Sequence, residues 1–77
     1  MGIKVLFFGS VTDITIVTEL SREDCADTDK LESELLKQFP ALANKKYFLA
    51  LNQQVIHQNT PLKSGDTVAL MPPYSGG

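Results

Sequence analysis

One stretch of the chain, and only one, repeats its apolar residues at helical spacing. Leu31, Leu35 and Phe39 follow one another four residues apart with Leu36 beside them, while Lys30, Glu34, Lys37 and Gln38 fall elsewhere on the wheel. That pattern predicts an amphipathic helix of about three turns with one face to bury. Thr28 is the N-cap candidate, Asp29 suits the positive end of the helix dipole, and Pro40 stops the helix. The other ordered segments read as strands, so this helix has one face of a sheet to cover.

Ile3-Lys4-Val5-Leu6-Phe7-Phe8 is rich in β-branched and aromatic residues and predicts a first strand, ended by Gly9-Ser10. Its alternation sets Ile3, Val5 and Phe7 on one face and Lys4, Leu6 and Phe8 on the other. A second strand is predicted over residues 14–20, with Ile14, Ile16, Thr18 and Leu20 sharing a face, and residues 21–27 read as a polar turn. Beyond the helix, residues 41–46 are a connector and Tyr47-Phe48-Leu49-Ala50-Leu51 is a third strand. Asn52-Gln53-Gln54 then reads as a turn and Val55-Ile56-His57 as a short partner strand. A turn cluster at 61–66 precedes a final strand over 67–71, where Val68 and Leu70 face one way and Thr67, Ala69 and Met71 the other. The order ββαβββ, a mixed sheet with one main helix packed on one face, is an α+β arrangement. If Val68 and Leu70 join Ile3, Val5 and Phe7 beneath the helix, then Leu6, Phe8, Ala69 and Met71 make an apolar patch on the outer face. Such patches commonly mark interaction sites.

The chain has 77 residues, one domain near the lower end of what folds alone. A core of this size leaves a surplus stability on the order of a few kcal/mol and no room for a buried multi-residue catalytic pocket. That favours a carrier or binding module over a self-sufficient enzyme. The net charge is −2 and no basic stripe is present, so nucleic acid is not an expected partner. The single cysteine, Cys25, forms no internal disulfide and points to a reducing cytosol. No run approaches the roughly 20 apolar residues of a membrane span, and Leu6 stands where a myristoylation motif needs Ser or Thr. A soluble, cytoplasmic protein without a membrane partner is expected. Cys25 reads as an incidental thiol in a polar loop, and His57 has no ligand partner at metal spacing. Asp24, Asp27 and Asp29 lack the Gly and terminal Glu of a calcium loop. No bound metal or cofactor is expected.

The last six residues are Pro72-Pro73-Tyr74-Ser75-Gly76-Gly77. The prolines cannot donate ladder hydrogen bonds, so the body is expected over 1–71 and an extended tail over 72–77. Successive prolines favour a stiff exit, and two glycines finish it without side chains. Fully extended, the tail reaches about 20 Å, at about 3.3–3.6 Å per residue. A slim tip on a stiff base suits a terminus that threads a narrow channel into another protein.

The opening Ile3-Lys4-Val5-Leu6-Phe7-Phe8-Gly9, then Leu51-Asn52-Gln53, then the run from Pro61-Leu62-Lys63-Ser64-Gly65-Asp66 through Pro72-Pro73-Tyr74-Ser75-Gly76-Gly77 carry a resemblance. The chain resembles the small subunits of molybdopterin synthase, within the ubiquitin-like β-grasp sulfur carriers, over nearly its whole length. The Leu-x-x-Gly-Asp-x-Val turn is common to many β-grasp proteins, and the Pro-Pro-x-Ser-Gly-Gly ending is far more specific. Two departures stand out. Residues 11–14 are short where relatives carry a longer helical excursion, and Tyr74 replaces a small aliphatic residue. Neither touches Gly76-Gly77.

The resemblance implies a ubiquitin-like β-grasp fold and a chemistry centred on the carboxylate of Gly77, with Gly76 before it. An E1-like enzyme would adenylate Gly77 with ATP, and a sulfur donor would displace the adenylate to leave a thiocarboxylate. The tail would enter the large synthase subunit, in an assembly of two small and two large subunits. There sulfur would pass to a cyclic pyranopterin phosphate, two transfers building the dithiolene. By the same resemblance Phe8, Val55 and Met71 fall at the partner interface, followed by Pro72, Pro73, Tyr74 and Ser75. Other readings are a sulfur carrier for another pathway, such as thiamine thiazole synthesis, a protein-conjugating modifier, and a plain β-grasp binding module.

Overall fold

Alternation decides the first element. In the computed structural model, strand β1 (Ile3–Phe7) buries Ile3, Val5 and Phe7 and leaves Lys4 exposed. The structure describes residues 2–23 and 25–73, so the expectations placed on Asp24, Tyr74, Ser75, Gly76 and Gly77 lie outside the described residues. A short helix α1 (Thr12–Thr15) follows, then β2 (Glu19–Arg22), α2 (Thr28–Gln38), β3 (Phe48–Leu51), β4 (Gln54–Ile56) and β5 (Thr67–Met71). The sheet order is β2-β1-β5-β3-β4. β1 and β5 run parallel, and the other neighbours are antiparallel. This is the mixed α+β sheet the sequence predicts, with β5 at its centre.

The helix covers the face expected of it. Leu31 and Leu35 are buried in one cluster with Ile3, Val5, Phe7, Leu49, Val68 and Leu70. Each fully buried aliphatic side chain contributes about 1.5–3 kcal/mol. Phe39 closes the end of the cluster, its ring edge-on to Phe7 at 6.0 Å. Pro40 then starts a 3-10 turn, Pro40–Asn44, which buries Leu42 in what reads from sequence as a bare connector.

The N-terminus of α2 differs from expectation. Asp27 is the cap, its carboxylate accepting from the Lys30 N–H at 2.9 Å. Thr28 is buried instead and its hydroxyl accepts from the Thr60 N–H at 3.0 Å. Asn59, from the same distant loop, accepts from the Asp29 N–H at 2.9 Å and donates to Asp27 at 3.4 Å. Helix ends leave N–H groups unpaired, and here a loop thirty residues away supplies part of the remedy. Cys25, expected in a polar loop, is buried in the core cluster beside this junction.

The strand predicted over 14–20 is the clearest correction. Gly9, at φ 55, turns the chain out of β1 into a 3-10 turn over Gly9–Val11 that runs into α1. The Thr12 hydroxyl donates to the Gly9 carbonyl at 2.7 Å. Val11 and Thr15 are buried and Ile14, partly buried, packs on the core, so helical spacing turns all three inward where a strand would turn in alternate ones. The short segment is therefore itself a helical excursion. The pairing strand keeps only Glu19 and Leu20 of the predicted one and adds Ser21 and Arg22 of the predicted polar turn, opposite Lys4 and Ile3. No helix among the described residues is long and apolar enough to cross a membrane.

Candidate functional site

The face of the sheet turned away from α2 is apolar, and its register explains its shape. Leu6 pairs with Ala69, Ala69 with Ala50, and Ala50 with Val55, giving one row across four strands. Two alanines in the middle of that row lie low between the larger Leu6, Phe8, Val55 and Met71. The result is a shallow groove of about 560 Å³, lined by these six residues with Asn52, Gln53 and Thr67 at one end. A second row lies beside it, because Phe8 donates its N–H to Leu70 at 3.0 Å, which sets it level with Met71, and Met71 pairs with Phe48. Phe8, Val55 and Phe48 are 46%, 48% and 39% exposed. Among the described residues nothing buries these large side chains.

The chain leaves the sheet at the end of the second row. β5 ends at Met71, and the Pro72 ring lies against Gly9 so closely that a β-carbon on Gly9 would stand 2.8 Å from the proline Cγ. Pro73 borders a second depression, of about 760 Å³, with Leu36, Leu42, Lys45, Lys46, Tyr47 and Phe48 among its walls. Tyr47 is anchored there by donating to Glu32 at 2.7 Å, and burial followed by that hydrogen bond pushes its pKa up.

The opposite end of the groove is held by a polar clamp. Asn52 and Gln53 form the two-residue turn between β3 and β4, both at positive φ, so Gln54 belongs to the strand and not to the turn. Asn52 accepts from the Thr67 N–H at 3.0 Å and donates to Asp66 at 3.1 Å. The buried Asp66 also accepts from the Lys63 N–H at 2.9 Å. That N–H first, and Asn52 second, hold the Asp66 carboxyl below its usual range. Gly65 turns the chain into this clamp at φ 93, a conformation that favours glycine.

Phe8, Val55 and Met71 therefore share one face, and Pro72 and Pro73 begin at its edge. Tyr74, Ser75, Gly76 and Gly77 lie outside the described residues. Phe48, Ala50 and Gln53 join the face without having been singled out in the sequence. The alternation around Leu49 signals the first two, but the hollow made by two facing alanines depends on pairing between distant strands. Among the described residues no group of three His, Cys, Asp or Glu side chains could hold a metal ion. What the described residues present here is an open apolar face.

Comparison with known proteins agrees with that form. The chain matches the ThiS family over residues 5–77. It is 39% identical to a molybdopterin synthase sulfur carrier subunit from Chlamydomonas reinhardtii, covering 100% of both chains. It is 36% identical to the protein of the same name from Escherichia coli, covering 97% of this chain and 99% of that one. Among solved structures it resembles, with a TM-score of 0.77 and 31% identity over 100% of both chains, a chain from the complex of subunits 1 and 2 of molybdopterin-converting factor of Helicobacter pylori. The chain belongs to the ThiS family and is a homologue of the molybdopterin synthase sulfur carrier subunits.

Proposed function

We propose that this chain is the sulfur carrier subunit of a molybdopterin synthase. The observation that carries the reading is an apolar face that runs, through Met71 and Pro72, into the base of a tail ending in Gly76-Gly77. The full-length likeness to sulfur carrier subunits supports it.

A carboxylate is a poor electrophile, so Gly77 needs activation. In the proposed cycle its oxygen attacks the α-phosphorus of ATP on an E1-like enzyme and pyrophosphate leaves. Hydrosulfide, or its equivalent from a sulfur donor, then attacks the acyl carbon and AMP leaves. The resulting thioacid ionises readily and acts at neutral pH without a local base, as thiolates do. The face centred on Ala69 and Ala50 docks on the large subunit, and Phe8, Val55 and Met71 supply its apolar contacts. Pro72 and Pro73 limit the free tail's conformations and so lower the entropy lost on insertion, which is about 1–2 kcal/mol per ordered residue. Tyr74 and Ser75 would contact the large subunit, and Gly76 and Gly77 would bring sulfur to a cyclic pyranopterin phosphate. This chain acts as the sulfur-donating part of a cytoplasmic assembly of two small and two large subunits, and the large subunit provides the catalytic groups.

Reconstitution tests this. Thiocarboxylated protein plus the large subunit should form molybdopterin, and deletion of Gly77 should abolish transfer with an unchanged melting curve. Sulfur delivered to a thiazole precursor instead, or conjugates on target lysines, would overturn the reading.

A further inference from the structure

Ile16 occupies a position that suits glycine. It ends α1 in the left-handed region at φ 70, where a β-branched side chain is strained. Its neighbours Ile14 and Thr15 pack inward, but Ile16 is 80% exposed, so burial within the fold does not offset the strain. Val17 beside it is 44% exposed, its carbonyl held by the Thr15 hydroxyl at 2.8 Å.

Register shows where this pair stands. Leu6 pairs with Glu19 and the Phe7 N–H donates to Thr18 at 2.9 Å, so the next step sets Val17 level with Phe8. By that register Val17 and Phe8, just beyond the ends of β2 and β1, stand level with Met71 and Phe48 at the end of the sheet from which Pro72 departs. The large exposed hydrophobics of the described residues are Phe8, Ile16, Val17, Phe48 and Val55. Ile16 and Val17 extend the apolar face past its β2 edge.

We propose that Ile16 and Val17 form the rim of the docking surface and contact the large synthase subunit that takes the tail. The inference rests on the function proposed above and goes beyond it by adding a contact outside the sheet. Its occupant follows from where the chain runs. Four residues follow Pro73, a reach of about 14 Å when extended. Val17 is two strand spacings from Met71, about 10 Å. A subunit that draws the tail into its own interior already stands over this end of the sheet. An apolar rim there adds area next to the tail's base, and a protruding isoleucine reaches it.

The test uses a change that has opposite effects on fold and binding. Ile16→Gly in the full-length chain relieves the left-handed strain, so its melting temperature should rise. Its affinity for the purified large subunit, measured by calorimetry, should fall about tenfold, the effect of losing one buried aliphatic side chain. Ile16→Asn, which tolerates the same backbone, should weaken binding similarly and exclude loop flexibility as the cause. If both variants bind like wild type, the rim contact is refuted while the proposed function stands. The assignment is also refuted if only binding to the activating enzyme weakens. If wild type fails to bind the large subunit at all, the function proposal itself falls.

Discussion

Gly9 and Pro72 touch across the end of the sheet, with 2.8 Å left between the proline Cγ and any β-carbon that might stand on Gly9. One residue turns the chain out of β1 and the other leads it out of β5, and these strands are parallel neighbours. The place where the chain leaves β5 is therefore packed against a glycine more than sixty residues away in the chain. Gly9→Val should lower stability by about 1–2 kcal/mol, because φ 55 strains a β-branched residue. It should also displace Pro72 and slow sulfur transfer beyond what the loss of folded protein explains. Denaturant unfolding and single-turnover transfer, measured on the same preparation, check this.

The groove on the outer face is hollow because Ala69 and Ala50 pair at its centre. Ala69→Glu should place a carboxylate where the large subunit would seal the face in the proposed complex. A buried unpaired charge costs about 3–5 kcal/mol, so binding to the large subunit should weaken by a hundredfold or more. The melting temperature should move little, since the same charge is solvated in the free protein. Calorimetric titration beside a thermal melt separates the two effects.

Asp66 predicts an acid limit on stability. Its carboxyl is held below the usual range in the fold by the Lys63 N–H and Asn52. A lowered folded pKa means that the contribution is fully present above the unfolded value, about 3.9, and is lost as pH falls through the folded value. Wild type should lose stability progressively below about pH 4. Asp66→Asn should be less stable at neutral pH and show a flatter acid limb in unfolding curves taken from pH 2 to pH 7.

Asn59 ties the 58–62 loop to the first turn of α2 through Asp29 and Asp27. Asn59→Ala removes a cap supplied from a distance and should destabilise the fold by about 1–2 kcal/mol. Hydrogen exchange should quicken most at the Asp29 amide, and large-subunit binding should be unchanged, because the loop lies on the helix side of the sheet.

Local periodicity determined much of this protein before any contact was known. Alternation in β1 and β5 separated Val5, Phe7, Val68 and Leu70 from Leu6, Phe8, Ala69 and Met71. Spacing of four marked the buried stripe Leu31 and Leu35, and Pro40 marked the end of α2. Such patterns are readable because each side chain's direction follows from its own backbone. Residues 14–20 misled in part: β-branched residues signal a strand, which begins only at Glu19, while burial of Val11 and Thr15 with Ile14 packed beside them favours a helix that runs to Thr15. The cap from Asn59, the hollow between Ala69 and Ala50, and the Gly9 contact with Pro72 likewise depended on pairings between distant segments. Residue spacing alone carries no record of which distant groups will meet, and it is the folded sheet that brings these together at the face and the tail's base.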